Sequence, residues 1–297
     1  YEVDHNSSSD LYEANFELFR SNNSPYIDAH WGMSKAHDYF LESFGRNGFN
    51  NDNGLIKNIF NVSYFSSNTY YDNENNVGYV EFQNDFMDFD VDYVSNSHVG
   101  IDNIGNKFAD LITLSISENR DGEYGALAKS FGNIFGVCIE RYSKPENWNW
   151  VIGEYAKLPV LDYPNNNITN NYSISLTNPS QSNPPQATFY NGDGWDASND
   201  SYINAGIQNL WFHNLAMGGT VTNIDYGITN FTGIGVEKSA QILYDNFIQL
   251  PDNATYIDAY NNSIIICDSI FGSESIEKYN MILAWESVGL ITNECGE

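Results

Sequence analysis

The clearest pattern of apolar and polar positions lies between residues 101 and 140. Apolar side chains recur at Ile101, Ile104, Phe108, Leu111 and Ile112, with Ser115 completing the face, which is the spacing of an amphipathic helix. The next segment, YGALAKSFGNIFGVCIERY, is apolar on nearly every side and predicts a buried helix joined to the first by a short connection. Upstream, YIDAHWGMSKAHDYFLESFGRNG predicts an amphipathic helix from Tyr26 that ends at Gly45 or Gly48. Between Leu55 and Tyr93 the chain breaks into short β-branched and aromatic runs separated by Asn, Asp and Gly, which predict an antiparallel sheet. The segment 157–200 is rich in Pro, Asn, Ser and Gly and predicts long surface loops. Beyond it, the C-terminal third carries three amphipathic helical patterns separated by Pro251-Asp-Asn and Gly272-Ser.

These elements predict an α+β protein with a mixed sheet-and-helix N-terminal lobe and a mainly helical C-terminal lobe. The expected division is a polar arm over 1–25, with a short helical stretch around Leu11 to Phe19, then a lobe over 26–117 that includes the helix 101–117, then a lobe over 118–297. A chain of 297 residues suits two such lobes, and no apolar run approaches the ~18 residues of a membrane span.

Charge narrows the partners. With 39 acidic against 12 basic residues the net charge is −27, which excludes a nucleic-acid binder, because phosphate contacts need Lys and Arg. Aromatic residues make up 15% of the chain, too many for a disordered polymer. Asp88, Asp90 and Asp92 alternate with Phe89, Val91 and Tyr93, which places three carboxylates on one strand face, either attracting cations or guarding an edge strand. The N-x-[ST] sequons include Asn61, Asn167, Asn171, Asn230 and Asn253, potential glycan acceptors in a eukaryotic secretory pathway. Of the three cysteines, Cys138 sits in the apolar helix as a core thiol, and a bridge from Cys267 to Cys295 would tether the C-terminus. The chain begins at Tyr1 without a Met, which we read as a mature or trimmed end.

The two central helices resemble the paired active-site helices of the thermolysin-like neutral metallopeptidases. In that family the first helix carries H-E-x-x-H, two zinc ligands and a general-base glutamate, and the second carries G-A-x-N-E-x-x-x-D, whose glutamate is the third ligand. Here the first motif reads Asn106, Lys107, Phe108, Ala109, Asp110. The second reads Gly125-Ala126-Leu127-Ala128-Lys129 and continues to Asn133, where the family has a buried aspartate. The resemblance extends from about residue 26 to 290 and implies a thermolysin-like two-lobed fold.

It also implies a calcium loop in IERYSKPENWNWVIGEY. Asp102, Glu140, Asn149 and Glu154 align with its side-chain ligands and Asn147 with a carbonyl donor, a set of oxygens suited to one calcium ion. Tyr155 and Val151 replace acids needed for a second ion. Asn68-Thr69-Tyr70-Tyr71 aligns with the family's substrate-edge strand N-A-x-W, so Asn68 and Tyr70 would border a substrate-like cleft. Tyr202 stands where the family has the histidine that stabilises the tetrahedral intermediate, and Ile174 where it has an arginine. Asp28, His30, His37 and His213 are expected to pack or hydrogen-bond rather than bind metal.

Both zinc-binding histidines, the base and the glutamate ligand are replaced, and a lysine ammonium offers a metal no lone pair. The expectation is therefore a secreted pseudo-peptidase without zinc, retained as a binding or assembly module. Its partner would be a protein or peptide, a second copy of itself, or a glycan. Asp110 and Lys129 would pair where the metal stood. The alternatives are a decoy or regulator of active peptidases, and a metallopeptidase using ligands such as Asp110 with water and another acid.

Overall fold

A computed structural model of the chain describes residues 2–5, 11–12, 25–61, 68–83, 86–88, 93–95, 99–154, 161–162, 167–168, 173–223 and 227–290. In chain order the elements are β1 Glu2–His5, β2 Leu11–Tyr12, α1 Pro25–Phe44, β3 Leu55–Asn61, β4 Thr69–Asp72, β5 Val77–Gln83, β6 Phe86–Asp88, β7 Tyr93–Ser95, α2 Ile101–Ile116 and α3 Gly122–Ser143. There follow β8 Val151–Ile152, β9 Leu161–Asp162, β10 Asn167–Ile168, β11 Ile174–Ser175, a 3-10 turn Pro179–Gln181, α4 Ser201–Asn204, α5 Gly206–Met217, β12 Gly218–Asn223, β13 Gly227–Thr232, α6 Val236–Phe247, α7 Tyr256–Phe271 and α8 Ile276–Ser287.

Two compact units form, one from Tyr1–Glu118 with Phe135–Ser173, the other from Asn119–Ile134 with Ile174–Glu297. The chain passes from one unit to the other after Glu118, again inside α3 after Ile134, and a third time after Ser173. A helix that is apolar all round can give one half of its length to each core, which the pattern of apolar positions does not reveal.

The first unit is built on a five-stranded sheet of order β2-β1-β3-β5-β4. β1 pairs with β3 and β3 with β5 in parallel, while β4 runs antiparallel to β5 and β2 to β1. The expected antiparallel sheet is thus a mixed one. β4 turns straight back onto β5, so β3 and β5 run the same way, and β3 takes the free edge of β5 and not that of β4. Leu11–Tyr12 is strand rather than the expected helical stretch, because it reverses onto β1.

Ile56, Val80 and Phe82 are buried on one sheet face. A Cβ placed on Gly78, between them, would come within 2.9 Å of Leu111, which shows how closely α2 lies beneath. The apolar face read from the sequence, Ile101, Ile104, Phe108, Leu111 and Ile112, is fully buried. Phe40 of α1 stacks on Phe108 at 5.7 Å and lies 4.9 Å from Phe135 of α3. Gly105 and Gly136 remove the side chains that would hold α2 and the second half of α3 apart: a Cβ on Gly136 would fall 2.6 Å from the Asp102 carbonyl. This close crossing sets Asp102 beside Glu140.

The second unit is mainly helical. Trp211 of α5 stacks on Trp285 of α8 at 4.4 Å, and Phe131 of α3 meets Phe247 of α6 at 4.6 Å. The three C-terminal helices fall where their periodicity places them. α7 starts with a capping box in which Thr255 and Asp258 satisfy each other's backbone amides, and Ser275 caps α8. The hairpin β12–β13 was not anticipated. It pairs from Gly218 with Thr232 to Asn223 with Gly227, directly after α5, so no polar break marks its start.

Candidate functional site

Three acids meet in the first unit. Asp102 enters from the first turn of α2, Glu140 from the second half of α3, and Glu154 from the loop beyond β8. Asp102 and Glu140 are both 0% exposed. The Asp102 Oδ2 accepts a hydrogen bond from the Gly153 amide at 2.6 Å, whereas its Oδ1, both Glu140 carboxylate oxygens and the Glu154 Oε2 are buried without a hydrogen-bond partner. Burial, then the charge of Glu154, raises the Asp102 carboxyl above its usual range. Burial, then Asp102 and Glu154, pushes Glu140 up to about 8.

Buried carboxylate oxygens without donors are costly, and their remedy is a proton or a cation. Among the described residues no group of three or more His, Cys, Asp or Glu side chains converges tightly enough to hold a metal as it stands. The donor chemistry nevertheless fits calcium, a hard ion that takes carboxylate, carbonyl and water oxygens in flexible geometry. Asp102, Glu140 and Glu154 would supply charge and Asn147 its carbonyl. Asn149 is exposed and organises the loop: its Nδ2 donates to Glu154 Oε1 at 2.7 Å and its Oδ1 accepts from the Val151 amide at 2.8 Å.

The positions aligned with zinc chemistry are spread over both units. Asn106, Lys107 and Asp110 stand on α2 in the first, with Asn106 buried and the other two half-buried. Lys129 and Asn133 stand on the α3 segment of the second, Lys129 half-buried and Asn133 fully buried. Asn133 belongs to a polar network that the sequence did not reveal. The Ser130 hydroxyl donates to Asn209 Oδ1 at 2.9 Å, with Asn133 Nδ2 at 3.5 Å from the same oxygen. Asn209 Nδ2 donates to Gln186 Oε1 at 3.1 Å, and Gln186 Nε2 to the Tyr202 carbonyl at 2.7 Å. Each neutral amide is thereby satisfied without a charge.

Tyr202 donates its phenol to the Asn183 carbonyl at 3.3 Å, and burial, then Asp200, pushes that phenol up to about 12. Asn68 is exposed and its carbonyl accepts from the Glu81 amide at 2.8 Å, so its backbone serves the sheet. Tyr70 lies on β4, at the edge of the described sheet. Ile174 is buried in β11. His30 is half-buried on α1, and burial lowers its pKa, as it does for His213, whose Nδ1 meets Asn214. His37 lies 3.7 Å from Asp38, while Asp28 is exposed. The row of Asp88, Asp90 and Asp92 falls on residues whose side chains lie outside the described part. Cys267 is a fully buried free thiol on α7, and Cys295, the other end of the expected bridge, lies outside the described residues. Cys138 is buried in α3.

Comparison with known proteins agrees with this architecture. Residues 119–290 match the family model for the thermolysin metallopeptidase, alpha-helical domain, and residues 1–92 that for the thermolysin metallopeptidase, catalytic domain. The chain belongs to the thermolysin metallopeptidase family. The two matches leave residues 93–118 between them, the stretch that contains Asn106, Lys107 and Asp110. Bacillolysin of Bacillus cereus is 27% identical over 270 residues, covering 89% of this chain and 43% of its own length. Thermolysin of Alicyclobacillus acidocaldarius subsp. acidocaldarius is 23% identical, over 92% of this chain and 47% of its own length. The chain thus spans about half the length of these curated relatives. The neutral protease NprE of Bacillus pumilus is 28% identical, with 89% and 76% covered. The solved precursor of protealysin, a metalloproteinase from Serratia proteamaculans, superposes with a TM-score of 0.73 at 18% identity, covering 98% of this chain and 87% of the other.

Proposed function

We propose that this chain is a non-catalytic thermolysin-like domain, secreted and used as a binding or assembly module, with one calcium ion tying its first unit together. The observation that carries the reading is the residue set at four positions. In the alignment that the resemblance to the family's motifs gives, Asn106 and Asp110 stand at the two histidine positions, Lys107 at the base and Lys129 at the third ligand. A protonated lysine cannot accept a proton from water or coordinate zinc, and two ammonium groups oppose a dication. Of the four, Asp110 alone carries a carboxylate, the one side-chain oxygen of the set suited to zinc. The engagement of Tyr202 with the Asn183 carbonyl further supports the reading, because that phenol is already committed to a backbone oxygen.

Calcium supplies the counter-charge that Asp102, Glu140 and Glu154 lack. These residues orient it from three separate segments, so the ion would join α2, α3 and the following loop. The large negative charge is in keeping with a secreted chain, since it keeps copies apart in solution. Hydrolysis of casein by the purified protein, before and after zinc loading, tests the proposal. No release above buffer is expected, and proteolysis abolished by a chelator would contradict it.

A further inference from the structure

The hairpin β12–β13 of the second unit turns one face to solvent. Val221 and Phe231 are buried on its inner face, where a Cβ on Gly219 would fall 3.0 Å from the Phe231 ring. Strand alternation turns Thr220, Thr222, Ile228, Asn230 and Thr232 outward, all of them exposed, Ile228 to 72%. The register sets Thr220 opposite Asn230 and Thr222 opposite Ile228, and the Thr220 hydroxyl donates to Asn230 Oδ1 at 2.8 Å. The base is fixed to α5, because the Ile234 and Gly235 amides donate to the Leu215 and Ala216 carbonyls at 2.9 and 3.1 Å. The ribbon is thus held in place before anything meets it.

Its outer edge is open. Among the described residues β13 pairs with β12 alone, and no backbone hydrogen bond reaches its other side. β12 runs straight out of α5 and packs against α8, which makes β13 the accessible side of the ribbon. Proteins guard such an edge with charge, proline or a bulge, because it is a template for a further strand. In a chain of which 17% is charged, β12 and β13 carry no charged residue and no proline, and their one-to-one register has no bulge. A ribbon of two strands is marginal by itself and gains from additional ones.

We propose that β13 pairs antiparallel with β13 of a second copy, giving one four-stranded sheet of order β12-β13-β13-β12 across a two-fold axis. An edge without guards is open first of all to copies of itself. An antiparallel pair of identical strands is also self-complementary, so the contact closes at a dimer. Pairing about Asn230 sets the β-branched Ile228 of each copy against Thr232 of the other. A basic partner is drawn instead to the acids elsewhere on a chain of net charge −27, since this neutral strand offers it no counter-charge. The same net charge holds two copies apart until salt screens it. The dimer deepens the assembly part of the proposed function, on which it rests, by naming the surface and the partner.

Sedimentation velocity at low salt, about 0.02 M, and at high salt, about 0.5 M, where charge is screened within a few ångströms, tests the proposal. A monomer–dimer equilibrium is expected, at least about tenfold tighter at high salt. Ile228→Lys should weaken the high-salt dimer at least about tenfold, and Ile228→Val should keep it. Ile276→Lys, at an exposed isoleucine of α8, should also keep it. Both lysines lower the repulsion between copies, so a loss in the first alone reports the contact. Amide hydrogen exchange should slow along β13 in the dimer and not in the monomer. Thermal melts confirm that each variant is folded. A monomer at both salts overturns the proposal, as does open-ended oligomerisation, a dimer indifferent to Ile228→Lys, or an equal loss in Ile276→Lys. Protection of β13 that is already complete in the monomer overturns it too, because the chain's own residues would then cover the edge. Casein release in the same samples separates the two readings. A monomer without release removes the dimer and leaves the non-catalytic reading, whereas a dimer with release does the reverse.

Discussion

The Asp102 carboxylate accepts a hydrogen bond from the Gly153 amide at 2.6 Å, across 51 positions of sequence, and so ties the first turn of α2 to the loop beyond β8. Its other oxygen has no donor, and neither has either oxygen of Glu140. The contact holds the loop in place while leaving the charge of the site unbalanced. Calcium should therefore raise the melting temperature of chelated protein. At an ion concentration of 100 times Kd the gain is about 2.7 kcal/mol, or roughly 4 °C for a chain of 297 residues. Glu140→Gln should abolish that response and stabilise the chelated protein by about 1 to 3 kcal/mol, because it removes the cost of either burying the Glu140 charge or protonating a carboxyl pushed up to about 8. Superimposable melts of the wild type with calcium and with chelator would contradict the assignment.

A second prediction concerns the amide network of the second unit. Asn209 is 0% exposed and is the hub between Ser130 and Gln186. Asn209→Leu strands their polar groups and should cost on the order of 2 to 4 kcal/mol in urea unfolding. Ser130→Ala removes only one donor and should cost about 1 kcal/mol. Equal costs for the two variants would show that Asn209 is not the hub.

Gly125 lies in the first turn of α3, where a Cβ would fall 2.0 Å from the Arg120 carbonyl oxygen. Alanine favours helix by about 1 kcal/mol over glycine, yet that clash is with backbone, which cannot rotate aside. Gly125→Ala should therefore lower stability by about 2 kcal/mol or more. A rise in melting temperature would show that α3 begins differently.

Burial, then the charge of Asp268, pushes the Cys267 thiol up to about 12 from 9.0. The thiol is 0% exposed, so the folded protein should resist iodoacetamide at pH 8 and react only on unfolding. The unfolded state releases the thiol proton first. Stability from this group is thus whole below pH 9 and falls by up to about 1.4 kcal/mol per pH unit between 9 and 12. Cys267→Ala should flatten that slope, and rapid alkylation of folded protein would oppose the prediction.

Much of the helical framework was legible in the sequence. The spacing of Ile101, Ile104, Phe108 and Leu111 is set by burial of one face, and that burial is what the structure shows. The direction of β3 was not legible, because alternation fixes which face a residue occupies and leaves the choice of neighbouring strand open. The hairpin β12–β13 was hidden by its Gly-Gly start directly after α5. Asp102, Glu140 and Glu154 could be picked out only through resemblance to a known loop, since periodicity treats a buried acid as a break in the pattern. Ser130 and Asn209 lie 79 positions apart, and nothing local marks them as partners.

On the proposed reading, Asn106, Lys107, Asp110 and Lys129 leave this member of the family without zinc chemistry. Isothermal titration of zinc into metal-free protein in calcium buffer, with elemental analysis after dialysis and peptide release followed in the same sample, tests it most directly. Less than about 0.1 zinc per chain and no peptide release are expected. One tightly bound zinc per chain with chelator-sensitive peptide release would contradict it.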